Sequence, residues 1–110
     1  MSKAPDRTAA AALFFALGDP TRLSLVQKLG DGPARSATQL AHGSPVTRQA
    51  VTKHLRVLED AGLVHHQKHG RDVLYVLDAA RVDEARAFLE TISARWDRAI
   101  NRLRLLVQQD

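Results

Sequence analysis

No cysteine occurs in the 110 residues. That excludes disulfides, thiolate metal sites, thiol redox sensing and cysteine nucleophiles. No apolar run approaches the roughly 20 residues that a membrane span requires. The start, MSKAPDRTAAAALFFALG, places an apolar stretch after one Lys and one Arg, as a signal peptide does. Asp6 interrupts it, and Asp19 and Pro20 follow at once, so it reads as the first helix of a cytoplasmic protein. Internal repeats are absent, and the only low-complexity tract is a short alanine run. No phosphate loop or nucleophile motif is present, and no spacing of acids and histidines implies catalysis. The chain therefore reads as a non-enzyme. The charge imbalance is small, a net +4, so the position of the charge matters more than its total.

The composition is 45% hydrophobic and 25% charged, that of one ordinary globular domain with a modest core. Residues 1–7 read as a disordered start and residues 8–108 as a single domain. Thr8–Leu17 is alanine-rich and helix-prone. Leu13, Phe14, Phe15 and Leu17 cannot share one narrow face, so this helix needs cover on more than one side, from its own core or from a second subunit. Gly18 stops it. Asp19 and Pro20 then open a second helix as N-cap and first-turn residue, with Leu23, Val26 and Leu29 as its expected core face.

A helix-turn-helix is expected over about residues 36–61. Ser36 and Gln39 fit a capping box for its first helix. Gly43, Ser44 and Pro45 break the chain, and Thr47 caps the second helix, whose apolar side is Val51, Leu55 and Leu58. Gly62 ends it. A basic two-stranded antiparallel hairpin follows over about residues 63–77: β-formers at Val64 and Val73–Leu77 flank a polar tip where Gly70 can take positive φ. Asp78 caps a final helix over about residues 79–108. Val82, Ala85, Leu89, Ile92, Trp96, Ala99, Leu103 and Leu106 form an unbroken heptad seam along it. So small a domain cannot cover that seam, and part of it should meet a second copy.

In a helix-turn-helix the second helix enters the major groove of double-stranded DNA and its early residues reach base edges. Here those residues are Thr47, Arg48, Gln49, Thr52 and Lys53, with Arg56 placed for a phosphate. Arg can pair with guanine and Gln with adenine in bidentate fashion. Lys68, His69 and Arg71 at the hairpin tip can reach phosphates or the minor groove. From Thr47 to Arg71, five basic residues stand against Glu59 and Asp60, a surplus of three out of the chain's net +4.

The segments LGDPTRLSLVQKL (Leu17–Leu29) and TRQAVTKHLRVLEDAGLV (Thr47–Val64), with Gly70, Arg71 and Tyr75 in the hairpin, resemble the arsenic-repressor family of ArsR/SmtB-type winged-helix regulators. The likeness covers about Leu13 to Leu106. It implies a mainly α fold with a small two-stranded antiparallel β wing. It also implies a homodimer built by the first and last helices, and repression by occupying operator DNA under control of an effector. The expected interface residues are Leu13, Phe14, Leu17, Leu89, Ile92, Trp96, Ala99, Leu103 and Leu106. His54 matches the family's histidine on the reading helix and joins the DNA-facing or helix-bracing set, with a histidine satisfied in the core as the alternative.

The sensor sites do not carry over. The family's cysteines near the third helix are absent, and the last helix holds no histidine. His65, His66 and His69 are metal-ligand types, but adjacent strand residues point to opposite faces, so His65 and His66 do not converge. No metal, cofactor or effector is assigned. The expected function is a homodimeric, sequence-specific repressor on a near-palindromic operator. The competing readings are a winged-helix protein-interaction module and a metal-responsive repressor with His and carboxylate ligands.

Overall fold

In the computed structural model, residues 4–108 are described. Helix α1 spans Arg7–Leu17, α2 Pro20–Gly30, α3 Ala37–Ala41, α4 Arg48–Asp60 and α5 Ala79–Gln108; strands β1, Val64–His69, and β2, Asp72–Leu77, lie between α4 and α5. The expected disorder at residues 1–3 lies outside the described residues. Within them order begins before residue 8: the Asp6 carboxylate accepts from the Ala9 N–H at 2.8 Å, and Arg7 is the first helical residue.

Local chemistry sets most of the boundaries. Asp19 caps α2 by accepting from the Arg22 N–H at 3.0 Å, with Pro20 at the first position. Ser36 and Gln39 form the reciprocal capping box of α3, at 3.1 and 2.9 Å. Thr47 caps α4 by accepting from the Ala50 N–H at 3.1 Å. At the other end Gly62 takes φ 79°. The Leu63 N–H then reaches the Leu58 carbonyl at 3.0 Å and the Gly62 N–H reaches Glu59 at 2.9 Å, the paired closure of a Schellman motif. Leu63 is thereby turned into the core.

The wing pairs Val64 with Leu77 through to His69 with Asp72. Gly70 at φ 63° is the first of its two turn residues, as a type II′ turn requires. A third, one-residue strand lies beside it: Arg35 and Tyr75 exchange backbone hydrogen bonds of 2.8 and 3.2 Å. A single paired residue leaves no periodic trace, so the sequence did not show it.

The core draws Leu25 and Leu29 from α2, Leu40 from α3, Val51, Leu55 and Leu58 from α4, and Leu63 and Val64 from the base of the wing. One facing differs from expectation. Leu23 is 47% exposed, and α2 turns Leu25 inward instead. At 100° per residue those two leucines point about 200° apart, so only one can face the core. On α1 the inward residues are Ala10, Leu13 and Ala16, whereas Phe15 is 73% exposed.

Helix α5 holds 30 residues, a rod of about 45 Å, and gives the molecule extents of 69 × 31 × 23 Å. Its first turns pack on the domain through buried Ala85 and through Phe88, whose ring meets Phe14 at 5.9 Å. The same stripe continues past the domain, where Trp96 is 67% and Leu106 65% exposed. No single described helix is long and apolar enough to cross a membrane.

Candidate nucleic-acid interface

Helix α4 is held by one side and free on the other. Val51, Leu55 and Leu58 are buried. Arg48, Thr52, Arg56, Gln49 and Lys53 fall on an arc of roughly 140° that begins beside the buried side and turns away from it, at 100° per residue. Arg48, Gln49, Lys53 and Arg56 are exposed and Thr52 is half-buried. The Thr52 hydroxyl donates to the Arg48 carbonyl at 3.0 Å, which leaves its lone pairs available. Thr47 is exposed at the start of the helix, with its hydroxyl oxygen already engaged as the cap.

His54 does not belong to that arc. It lies on the inner flank of α4, with Nδ1 3.4 Å from the Arg22 guanidinium and 3.9 Å from the Asp19 carboxylate. Arg22 in turn donates to the Ala16 carbonyl at 2.6 Å and the Phe15 carbonyl at 3.3 Å, and its guanidinium covers the Phe15 ring at 5.8 Å. His54 therefore braces α4 against the α1–α2 corner, in keeping with the helix-bracing alternative. The Arg22 N–H, foremost, with His54 adding to it, holds the Asp19 carboxyl below its ordinary range.

A groove of about 580 Å³ separates the start of α3, α4 and β2. Arg48 and Thr52 line it from α4, Thr38 and Gln39 from α3, and Tyr75 and Arg71 from the wing. The structure thus brings Arg48 and Arg71 to one channel. Thr38 and Gln39 were missed from sequence, although their position at the start of a helix packed beside α4 was the available signal. Burial, and after it the Glu59 carboxylate, pushes the Tyr75 phenol above its ordinary value. Lys68 and His69 are exposed at the wing end, where His69 Nε2 lies 3.3 Å from the Gln67 amide oxygen.

The wing histidines diverge. His65 Nε2 meets Asp78 at 2.6 Å, and His66 Nδ1 meets Glu59 at 2.5 Å. Among the described residues no group of three or more His, Asp or Glu is placed to hold a metal ion. The residues expected at a subunit contact divide. Leu13 is only 3% exposed and is consumed by its own core, so its place in the interface is corrected. Phe14 and Leu17 pack partly against that core. Ile92 and Ala99 are half-buried, while Leu89, Trp96, Leu103 and Leu106 lie open.

Known proteins share this architecture. A family model described as a helix-turn-helix domain matches residues 17–67. The chain is 33% identical, over 98% of its length and 92% of the relative's, to the HTH-type transcriptional regulator Rv2034 of Mycobacterium tuberculosis. It is 36% identical to the HTH-type transcriptional repressor SmtB of the same species, over 63% of this chain and 50% of that one. The solved ArsR-like transcriptional regulator from Rhodococcus sp. RHA1 superposes with a TM-score of 0.76 at 36% identity, covering 94% of this chain and 96% of that chain. An α4 presented outward by a helix-turn-helix, a basic wing beside it and likeness over nearly the whole length lead to one assignment. The chain belongs to the ArsR-like family of winged helix-turn-helix transcriptional regulators, DNA-binding proteins rather than enzymes.

Proposed function

We propose that the chain is a homodimeric, cytoplasmic repressor that reads a near-palindromic operator. The observation that carries this reading is the shared channel of Arg48 and Arg71, which joins the outward arc of α4 to the wing. Arg48 and Gln49 read base edges, with Thr47, Thr52 and Lys53 beside them. Arg56, Lys68, His69 and Arg71 hold phosphates.

The second subunit is supported by α5. Each large apolar side chain fully withdrawn from water contributes about 1.5–3 kcal/mol. Trp96, Leu103 and Leu106 are left open on the stripe that packs the domain at Ala85 and Phe88. Pairing of two such helices, with Phe14, Leu17, Leu89, Ile92 and Ala99 alongside, covers it. The pair then presents its α4 helices to successive major grooves roughly 34 Å apart. Mobility shifts on the DNA upstream of the protein's own gene, run at several salt concentrations, test this. Retardation that weakens steeply with salt supports it. No retardation even at low salt contradicts it.

A further inference from the structure

The two His–carboxylate pairs at the base of the wing lie outside the residues proposed above to meet bases or phosphates. A two-stranded hairpin is marginal by itself and needs support from the body it leaves. Buried Val64, the Arg35–Tyr75 exchange and an Asp78 N–H to Leu63 carbonyl bond of 2.8 Å hold the root. Beyond the root the first exposed residues of β1 are His65 and His66, which face opposite sides of the hairpin. Each meets a carboxylate on a different neighbour. His66 reaches Glu59 near the end of α4, and its ring lies 5.9 Å from that of Tyr75 directly across the sheet. His65 reaches Asp78, which also caps α5 by accepting from the Arg81 N–H at 3.0 Å. The wing is thus stayed on one face to α4 and on the other to the residue that follows β2 and caps α5.

We propose that Glu59 and Asp78 are positioning residues for the wing, holding it through His66 and His65 at the angle that sets its cations on DNA. This rests on the DNA-binding reading. A hydrogen bond accepted by a carboxylate is charge-assisted and roughly twice as strong as a neutral one. The charged and titratable groups around His66 are Glu59 and Tyr75, with Arg48 and Arg56 of α4 acting on the same Tyr75. Around His65 they are Asp78 and, on the first turn of α5, Arg81, itself paired with Glu84 at 3.0 Å. His69 at the wing end lies roughly 10 Å along the strand from His66, so a small tilt at the stays is enlarged at the tip. Both pairs are about half exposed on the histidine side, which keeps the effect modest.

The test separates positioning from charge. Affinity for the protein's own upstream duplex and for a random duplex is measured at constant pH and ionic strength. The proteins are the wild type, Glu59→Gln, Asp78→Asn and the double variant. Asn preserves the helix cap. The double variant is expected to bind both duplexes on the order of threefold more weakly than wild type, although it carries two fewer negative charges per subunit. Affinity equal to wild type, or tighter as charge alone dictates, overturns the proposal. Backbone 15N relaxation of β1 and β2 in the DNA-free proteins is a readout independent of DNA. Faster wing motion in the double variant supports the stays, and unchanged motion overturns them. A wild type that binds neither duplex refutes the DNA-binding reading instead, and the relaxation result still decides the stays.

Discussion

At the scale of single residues, the proposed function assigns Arg48 and Gln49 of α4 to reading bases and Lys68 and Arg71 of the wing to gripping phosphates. Replacing Arg48 and Gln49 by Ala together should remove discrimination among operator variants, about 1–3 kcal/mol for each bidentate pairing with a base. Replacing Lys68 and Arg71 by Ala should weaken every duplex by a similar factor and lower the salt slope. Binding profiles over a randomised operator library check both, and identical profiles for the two pairs would refute the division. Asp78 offers a second test. His65, foremost, and the Arg81 N–H hold its carboxyl below the ordinary range. A carboxylate with a depressed folded value contributes stability that is complete above its unfolded value and is lost as pH falls through the folded one. Urea unfolding of wild type and Asp78→Asn should therefore differ near neutrality and converge in acid, below roughly pH 4. A difference that persists unchanged into acid would count against this. Where a residue points was the least legible feature of the sequence. Leu13 and Phe15 lie on a helix that is apolar nearly all round, so the pattern does not choose which one enters the core. Leu23 and Leu25 pose the same ambiguity on α2. His54 sits beside the buried side of α4 rather than on its outer arc, which spacing from Val51 and Leu58 does suggest, but its partners Asp19 and Arg22 lie over thirty residues away and leave no local sign.

At the scale of elements, caps and glycines made the chain readable. Asp19–Pro20, the Ser36–Gln39 box, Thr47, Gly62 and Gly70 each satisfy local backbone demands that no distant contact overrides. The weakest element should be α3, with only 5 residues, too short to persist without its box and its packing. Ser36→Ala is expected to cost about 1 kcal/mol, visible as a lower midpoint in urea with unchanged slope. A midpoint equal to wild type would mean that packing alone sustains α3. The Arg35–Tyr75 bridge was illegible because β-pairing is recognised by alternation over several residues, and one residue has none. The groove between α3 and the wing was illegible for the same reason: it exists only once Tyr75 is drawn beside α3 by that bridge.

At the scale of the whole molecule, the decisive feature is a rod that outruns its domain. The seam from Val82 to Leu106 was legible as a heptad pattern, but the sequence did not show where the domain's own cover ends. The structure buries Ala85 and leaves Leu89, Trp96, Leu103 and Leu106 open. Trp96→Glu together with Leu103→Glu should convert a dimer into monomers with the wing and helix-turn-helix still folded. Light scattering after size exclusion and far-ultraviolet circular dichroism check both halves of that statement. A dimer that survives the pair of charges would move the interface elsewhere, and a wild type that is already monomeric at micromolar concentration would remove it.

The most direct measurement is a hydroxyl-radical footprint of the purified protein on the DNA upstream of its own gene. Two protected half-sites with related, inverted sequences, centred about one helical turn apart on one face of the duplex, are expected from paired α4 helices. A single protected patch, protection without sequence preference, or no protection at low salt would contradict the account.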